Sequence, residues 1–533
     1  MVDQPAPLRI GIIIDSFVQP RWVRRSLEKI LASGVAQIEL VISSETQSGK
    51  SSLLYKLYNH VDRRMFKADA LELVSVEDLL KHTKLSTEVT NSDLDVLVNF
   101  AGNEQNTKFA TAAKHGVWFY SFGDAPGFKE LSNGLPITHS SLRALKGNAE
   151  SVIYESVSPT LSRFSVRLNN NTRYWKSAAF VARVLEDLYA KRQSEKNIGE
   201  QSLAKSPGNA AMTQMFLKLS GRAAARAFEK FSSLEQWVLA YQIGDGEFRY
   251  LIPPPGRFWA DPFPLKVDGK YYIFFEDYVY ELGKAHISVV EVDENGIVAG
   301  PTEVLKLDCH LSYPFVFEWQ GDFYMIPESG ERNVVELYRA VSFPFEWRRE
   351  KVLLEINSPL DATVIEVEKT WWMFVNVEEE GVAVNWDELH LYYSDSLFGP
   401  WKPHARNPIV SDVRSARPAG RLFWSNEVLY RPGQDSSLRY GYATTINKIT
   451  TLSPVAYNEV EVVKILPDWD DNIAGVHTLN FVDDLTVIDC FTKRRRTGNI
   501  RFSSPKRSLD RLSSANIEPR GQANTNSVSR INI

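Results

Sequence analysis

The chain has 533 residues, too many for one ordinary domain, and a formal charge of −5, which argues against a general nucleic-acid binder. Cys309 and Cys490 are the only cysteines, so neither a disulfide framework nor a thiolate zinc site is available. No apolar run is long enough to span a bilayer, and Met1–Pro7 lacks the basic-then-apolar pattern of a signal peptide; a cytoplasmic protein is expected.

Residues 8–193 read as an α/β unit. Leu8–Ile14 is a buried strand ending at Asp15, and Trp22–Ala32 carries Trp22, Val23, Leu27, Ile30 and Leu31 at helical spacing up to Gly34. Ile38–Ile42, Asp95–Phe100 and Val117–Tyr120 are further strands, and Ser177–Lys191 is an amphipathic helix. Strands alternating with helices imply a parallel, doubly wound sheet. Ser44–Ser51 ends like a phosphate-binding loop, but the glycine needed five positions before Gly49 is Ser44, so a polar loop is the better account. The stretch Asp93–Pro136 resembles the formyltransferase fold. That resemblance places Phe119 and Ser121 where active formyltransferases carry Asn and His, and no Asp-x-Gly follows in Leu142–Ser165. Neither Phe nor an unassisted Ser does acid–base work at neutral pH, so no formyl transfer is expected. Asp124, after Gly123, reads as a turn residue.

Residues 194–235 read as a polar linker followed by a helix, Met212–Phe231, and Trp237–Tyr241 as a strand that closes what comes next. From 236 to 497 one short pattern is written five times. Its openings are Trp259-Ala260-Asp261-Pro262, Ser312-Tyr313-Pro314-Phe315, Leu360-Asp361-Ala362-Thr363, Ala416-Arg417-Pro418-Ala419-Gly420 and Gly475-Val476-His477-Thr478. Asp261, Tyr313, Asp361, Arg417 and His477 are spaced by 52, 48, 56 and 60 residues. A period near ~50 with about four strands per unit is the signature of a β-propeller. The five openings then meet at one mouth of a central funnel, although more than 200 residues of sequence separate the first from the last. Residues 498–533 are Ser-, Arg- and Asn-rich and are expected to be disordered. The basic run Lys493–Arg496, with Arg501, Lys506 and Arg507, suits weak contact with an anionic membrane surface.

Trp259-Ala260-Asp261-Pro262 resembles the first-blade opening of family 43 glycoside hydrolases and their sucrose-cleaving relatives. The resemblance implies that Asp261 is a base or nucleophile, that Asp361 is a second acid tuning the others, and that His477 lines the bottom of the funnel. Where that family has its general-acid Glu, this chain has Arg417. A guanidinium is no proton donor at physiological pH but grips phosphate bidentately. The funnel therefore suits a phosphorylated leaving group, with Glu328 as an alternative acid from the second blade. Trp259, Tyr313, Phe315, Trp371, Trp386 and Trp424 are candidate stacking surfaces for sugar rings, Trp259 and Tyr313 foremost.

A more specific resemblance rests on Phe258–Pro264, Tyr324–Glu328, Glu336–Ala340 and Phe343–Trp347. These are similar to the propeller that forms the N-terminal part of plant glucosamine inositolphosphorylceramide transferases and that occurs in bacterial proteins behind a formyltransferase-like domain. In the plant enzymes a separate glycosyltransferase domain follows, and nothing like it follows in this sequence. The resemblance thus implies glycan or glycolipid context more firmly than catalysis by the propeller. The first expectation is a transferase of surface-glycan or glycolipid assembly, with a sugar-phosphate or nucleotide-sugar donor, a glycan or glycolipid acceptor and no metal. A non-catalytic glycan-binding scaffold and a glycoside hydrolase using Asp261 and Glu328 stand as alternatives.

Overall fold

The computed structural model describes residues 6–43, 52–81, 83–86, 93–101, 107–122, 127–192, 196–197, 207–378, 386–495 and 503–519. The Ser44–Ser51 loop and Gly123-Asp124 lie outside them. Two compact units part near Ala224.

The first unit is built on a sheet that is mixed rather than parallel. Across it run Lys196–Asn197, Ala149–Pro159, Ile137–Lys146, Val117–Ser121, Val96–Asn99, Leu8–Ile14, Ala36–Ser43 and Lys84–Ser86. The last five are mutually parallel and the first three antiparallel. The expectation of an all-parallel sheet is corrected by three antiparallel pairings, and for one of them the connection itself gives the reason. Ile137–Lys146 and Ala149–Pro159 are joined by Gly147 and Asn148 alone, with Gly147 at φ 60°, whereas a parallel return needs a dozen residues or more. The parallel part follows the doubly wound rule. Strand order reverses between Leu8–Ile14 and Val96–Asn99, the kind of switch point at whose carboxyl ends open α/β sheets bind ligands. Helix Arg21–Ala32 buries Trp22, Val23, Leu27 and Ile30 against this sheet.

The expected helix Ser177–Lys191 is the second of two. Phe180–Tyr189 is preceded by Val166–Ser177, whose start is capped by the Ser165 hydroxyl accepting from the Leu168 N–H. The earlier helix buries Asn169, Asn170, Asn171, Thr172 and Arg173. A helix whose buried face is polar carries no hydrophobic periodicity, which is why the sequence pattern passes over it. Phe119 sits in an apolar cluster with Ile13, Leu97 and Val117.

The second unit is a five-bladed propeller. Four four-stranded sheets occupy 257–305, 312–355, 359–403 and 423–465. The fifth combines Ile473–Gly475, Leu479–Val482 and Leu485–Arg495 with Ser233–Ile243 and Arg249–Leu251. Ser233–Ile243 pairs antiparallel with Leu485–Arg495 along its whole length, so chain-distant segments close the ring and leave few free strand edges. Tyr241 pairs with Val487 and Trp237 with Phe491, as the closing-strand expectation required.

The tail reading is corrected in part. Lys506–Ser514 is a helix, and Leu512 and Ile517 are buried in the cluster that holds Ile465, Trp469 and Ile473. Arg511 pairs with Asp468, and the Tyr250 hydroxyl donates to the Ser503 carbonyl. Leu509, Leu512 and Ile517 suffice to dock one face, although charged neighbours hide them in the composition. The side chains of Lys493–Arg496 lie outside the described residues.

Candidate functional site in the propeller funnel

The first three blades open on the same local device. Their innermost strands shift register between Ala260 and Phe263, between Ser312 and Phe315, and between Leu360 and Thr363. In each bulge one residue is left-handed: Asp261 at φ 51°, Tyr313 at 44° and Asp361 at 55°. A bulge adds an unpaired residue and re-aims its side chain. Of the three, Asp261 lines the cavity described below.

Asp261 is the hub. Its Oδ1 accepts from the Thr478 hydroxyl at 2.7 Å and its Oδ2 from the Tyr313 N–H at 3.3 Å. His477 Nε2 stands 3.7 Å from Oδ1, while Nδ1 approaches Asp489 Oδ2 at 2.5 Å. Asp489 is a site residue that sequence reasoning missed. Its carboxylate accepts from the backbone N–H groups of His477, Thr478 and Asp261, tying the last blade to the first. Asp261, His477 and Asp489 each offer one ligand atom, all within 4.8 Å of one another, as a metal would require. Yet all four carboxylate oxygens already accept hydrogen bonds, so the set fits a closure clasp better than an ion cage.

Arg417 is buried, and the charge pairing around it differs from the phosphate clamp expected. Its Nε and Nη2 donate side-on to Asp361 at 2.5 and 3.2 Å, and Nη2 also reaches Glu328 Oε2 at 3.4 Å. The bidentate edge is therefore taken by Asp361. The third guanidinium nitrogen, Nη1, makes no hydrogen bond among the described residues. Tyr440 packs its ring under the guanidinium, 5.1 Å from ring centre to Cζ. Asp361 does not line the cavity; it acts through Arg417, helped by a 3.3 Å hydrogen bond from Gln434.

A cavity of about 220 Å³ opens above these groups. Its acidic lining is Asp261, Glu276 and Glu328, with Arg417, His310, His477 and Ser312 beside them. Its rings are Trp237, Phe258, Tyr278 and Tyr440. Glu276 was not foreseen. It faces Ala260 across the first hairpin, with His310 Nε2 at 3.3 Å. Burial, with Asp261 and Glu328 nearby, raises the Glu276 carboxyl well above the usual range. Burial likewise raises Glu328, against the pull of Arg417. Asp361 is pushed up to about 6 by burial, although Arg417 opposes this. Asp261 is raised by burial despite His477. His477 is itself raised: burial disfavours its charge, but Asp489 and Asp261 outweigh that. The pocket thus combines carboxyls raised by burial with an imidazole raised by its carboxylate neighbours.

Trp259 and Tyr313 are not stacking surfaces. Trp259 is buried against Phe275, because strand alternation turns Phe258 and Ala260 to the cavity and Trp259 away. Tyr313 is fully buried, and its hydroxyl meets Thr363 Oγ1 at 2.9 Å and accepts from the Gly420 N–H at 2.9 Å. It is the floor of the funnel, bonded across three blades. Phe315 and Trp371 are core, and Trp424 packs against another apolar cluster. Trp386 stacks on Tyr440 at 5.2 Å. The first unit has a larger cavity, about 410 Å³, but its lining of Ile14, Phe17, Val41, Leu85 and three serines has no titratable group.

A family model described as the N-terminal part of glucosamine inositolphosphorylceramide transferase 1 matches residues 251–473. Glucosamine inositolphosphorylceramide transferase 1 of Arabidopsis thaliana is 39% identical over 212 residues, covering 39% of this chain and 28% of that protein. The protein of the same name from Oryza sativa subsp. japonica is 38% identical over 213 residues, with the same shares. The chain therefore spans little more than a quarter of the length of these relatives. Among solved structures, Zg3597, a family 117 glycoside hydrolase of Zobellia galactanivorans, aligns with TM-score 0.32 and 15% identity over 48% of this chain and 90% of its own. An exo-1,5-alpha-L-arabinanase from a bovine ruminal metagenomic library gives 0.31 and 13% over 47% and 96%. Scores this low leave the five-blade assignment resting on the strand pairing itself.

Proposed function

We propose that the funnel is a carbohydrate site serving glycosyl transfer in the assembly of a glycolipid or surface glycan. The observation that carries this reading is the convergence of Asp261, Glu276 and Glu328 with four aromatic rings in one small cavity. Sugar recognition needs that combination: carboxylates for hydroxyl groups and ring faces for the apolar side of a pyranose. The similarity of residues 251–473 to proteins named as transferases of an inositolphosphorylceramide supports the glycolipid context. Asp261 is the base or sugar anchor. Glu276 and Glu328 are the proton carriers, and Nη1 of Arg417 is a single contact for a donor phosphate, from either a nucleotide sugar or a lipid-linked sugar.

Hydrolysis is the second reading, favoured by the raised Glu276 and Glu328 carboxyls beside Asp261, since glycoside cleavage needs a protonated acid opposite a carboxylate. The N-terminal unit is read as formyltransferase-like in fold without formyl transfer, and the basic run near Arg495 as a peripheral membrane contact. The deciding experiment assays the whole chain with nucleotide-sugar donors and an inositol-phospholipid acceptor, in wild type and Asp261→Asn. Asparagine tolerates the left-handed bulge, so the fold should stay intact while transfer falls by at least about 100-fold. Free sugar released without an activated donor would select hydrolysis. Sugar binding without turnover would leave a scaffold, and wild-type activity in the variant would remove Asp261 from the chemistry.

A further inference from the structure

Arg173 is the least satisfied charged group among the described residues. It lies on Val166–Ser177, is 0% exposed, and is far from the funnel in sequence and in unit. Its Nη1 donates to the Phe122 carbonyl at 3.2 Å, and Glu130 Oε1 comes no closer than 3.9 Å. Nε and Nη2 have no hydrogen-bond partner among the described residues. A buried guanidinium with two idle N–H groups has lost its water without replacing those hydrogen bonds, so a fold retains it where something completes it.

The idle edge says what that something is. Nε and Nη2 form the side-on fork of a guanidinium, two parallel N–H vectors matched to a pair of oxygens. The same protein shows what this edge takes. Arg9 uses it on Glu39 at 2.8 and 2.8 Å, Arg431 on Glu459 at 2.8 and 2.6 Å, and Arg417 on Asp361. At Arg173 the fork is built, and the nearest described side-chain oxygens, the Glu130 carboxylate and the Tyr174 hydroxyl, leave Nε and Nη2 without a hydrogen-bond partner. Location gives an independent indication. Phe122 follows the strand Val117–Ser121, and the neighbouring Tyr174 ring stacks on Trp22, which also meets Phe100 at the carboxyl end of Val96–Asn99. These rings belong to the apolar cluster beside the point where strand order reverses, and open α/β sheets bind ligands at such switch points.

We propose that Arg173 is the anchor of an anion site in the N-terminal unit, taking a small organic ligand through a carboxylate or phosphoryl oxygen pair. The aromatic neighbours give the ligand's body an apolar wall. Glu130 is the opposing charge: its Oε2 is also buried and unpartnered, and it repels the anion that Arg173 attracts.

The test uses the full chain and two probes, inorganic phosphate and benzoate, by calorimetric titration and thermal shift. Binding of at least one probe is expected, and the favoured probe assigns phosphoryl or carboxylate chemistry. Arg173→Lys keeps a charge but loses the fork and should weaken that binding by at least about tenfold. Because a buried-site variant can misfold, Glu130→Gln is the second arm: it removes the repelling charge and should tighten binding roughly threefold to tenfold. Asp124→Asn guards against an internal partner from the segment after Phe122. If only that variant binds an anion, Asp124 fills the fork and the proposal falls. It falls equally if neither probe binds wild type or Glu130→Gln, or if Arg173→Lys, folded, binds as wild type does.

Discussion

Arg417 is held at the funnel by its acidic partner. Its side-on pairing with Asp361 makes the two a single buried unit, with Asp361 1% exposed. Removing one member of such a pair leaves the other charge buried and costs roughly 3–5 kcal/mol, whereas removing both costs less than the sum. Arg417→Met and Asp361→Asn should each destabilise the propeller by about that amount, and the double variant should show a coupling of at least about 1 kcal/mol. Denaturant unfolding of the four proteins measures it. Additive losses would mean that the pair is not a unit and that Arg417 is free to grip a ligand with its whole fork.

At the level of the element, the blade openings explain both what the sequence disclosed and what it withheld. The openings are repeated, so Asp261, Asp361, Arg417 and His477 were legible as one constellation before any contact was known. Glu276 and Asp489 lie on second strands, where no motif repeats; the available signal was an acidic residue on the inner face of an apolar strand. Trp259 was misread because a one-residue step along a strand changes its face, and Tyr313 because its bulge sends the ring into the floor. Arg173 was invisible because its helix buries polar side chains. The fourth opening departs from the bulge of the first three, and Gly420 is what permits it. Gly420 has φ 135°, and a Cβ there would stand 2.3 Å from the Leu479 carbonyl oxygen. Gly420→Ala should therefore cost about 2–4 kcal/mol, read as a lowered melting point, with Tyr313 losing its contact to the Gly420 N–H. A neutral outcome would show that the strand carrying Leu479 can retreat and that the blade IV–V seam is soft.

For the whole molecule, the buried acids of the funnel set an unusual pH dependence. Asp361 is pushed up to about 6, against an ordinary value of about 3.9 in the unfolded chain. Between those values the native state keeps a proton that the unfolded state has lost, so the contribution of this group falls as pH rises through the window. Asp261, Glu276 and Glu328, raised by burial, carry the same sign. His477 agrees with them: its raised value means that its contribution is complete below about 6.5 and is lost as pH rises through the folded value. Asp277 opposes, because His286 and Arg257 outweigh its burial and lower it, so its contribution is lost in stronger acid as pH falls through its depressed value. The propeller should therefore melt at a higher temperature near pH 5 than near pH 7.5, the reverse of ordinary acid sensitivity. Glu276→Gln removes one raised carboxyl without touching the Arg417 pair, so it should raise the melting point near pH 7.5 and flatten the slope. Scanning calorimetry of both proteins at several pH values decides the matter. A wild-type melting point that climbs with pH, or an equally steep slope in the variant, would show that the funnel acids are solvated and ionised in the native state.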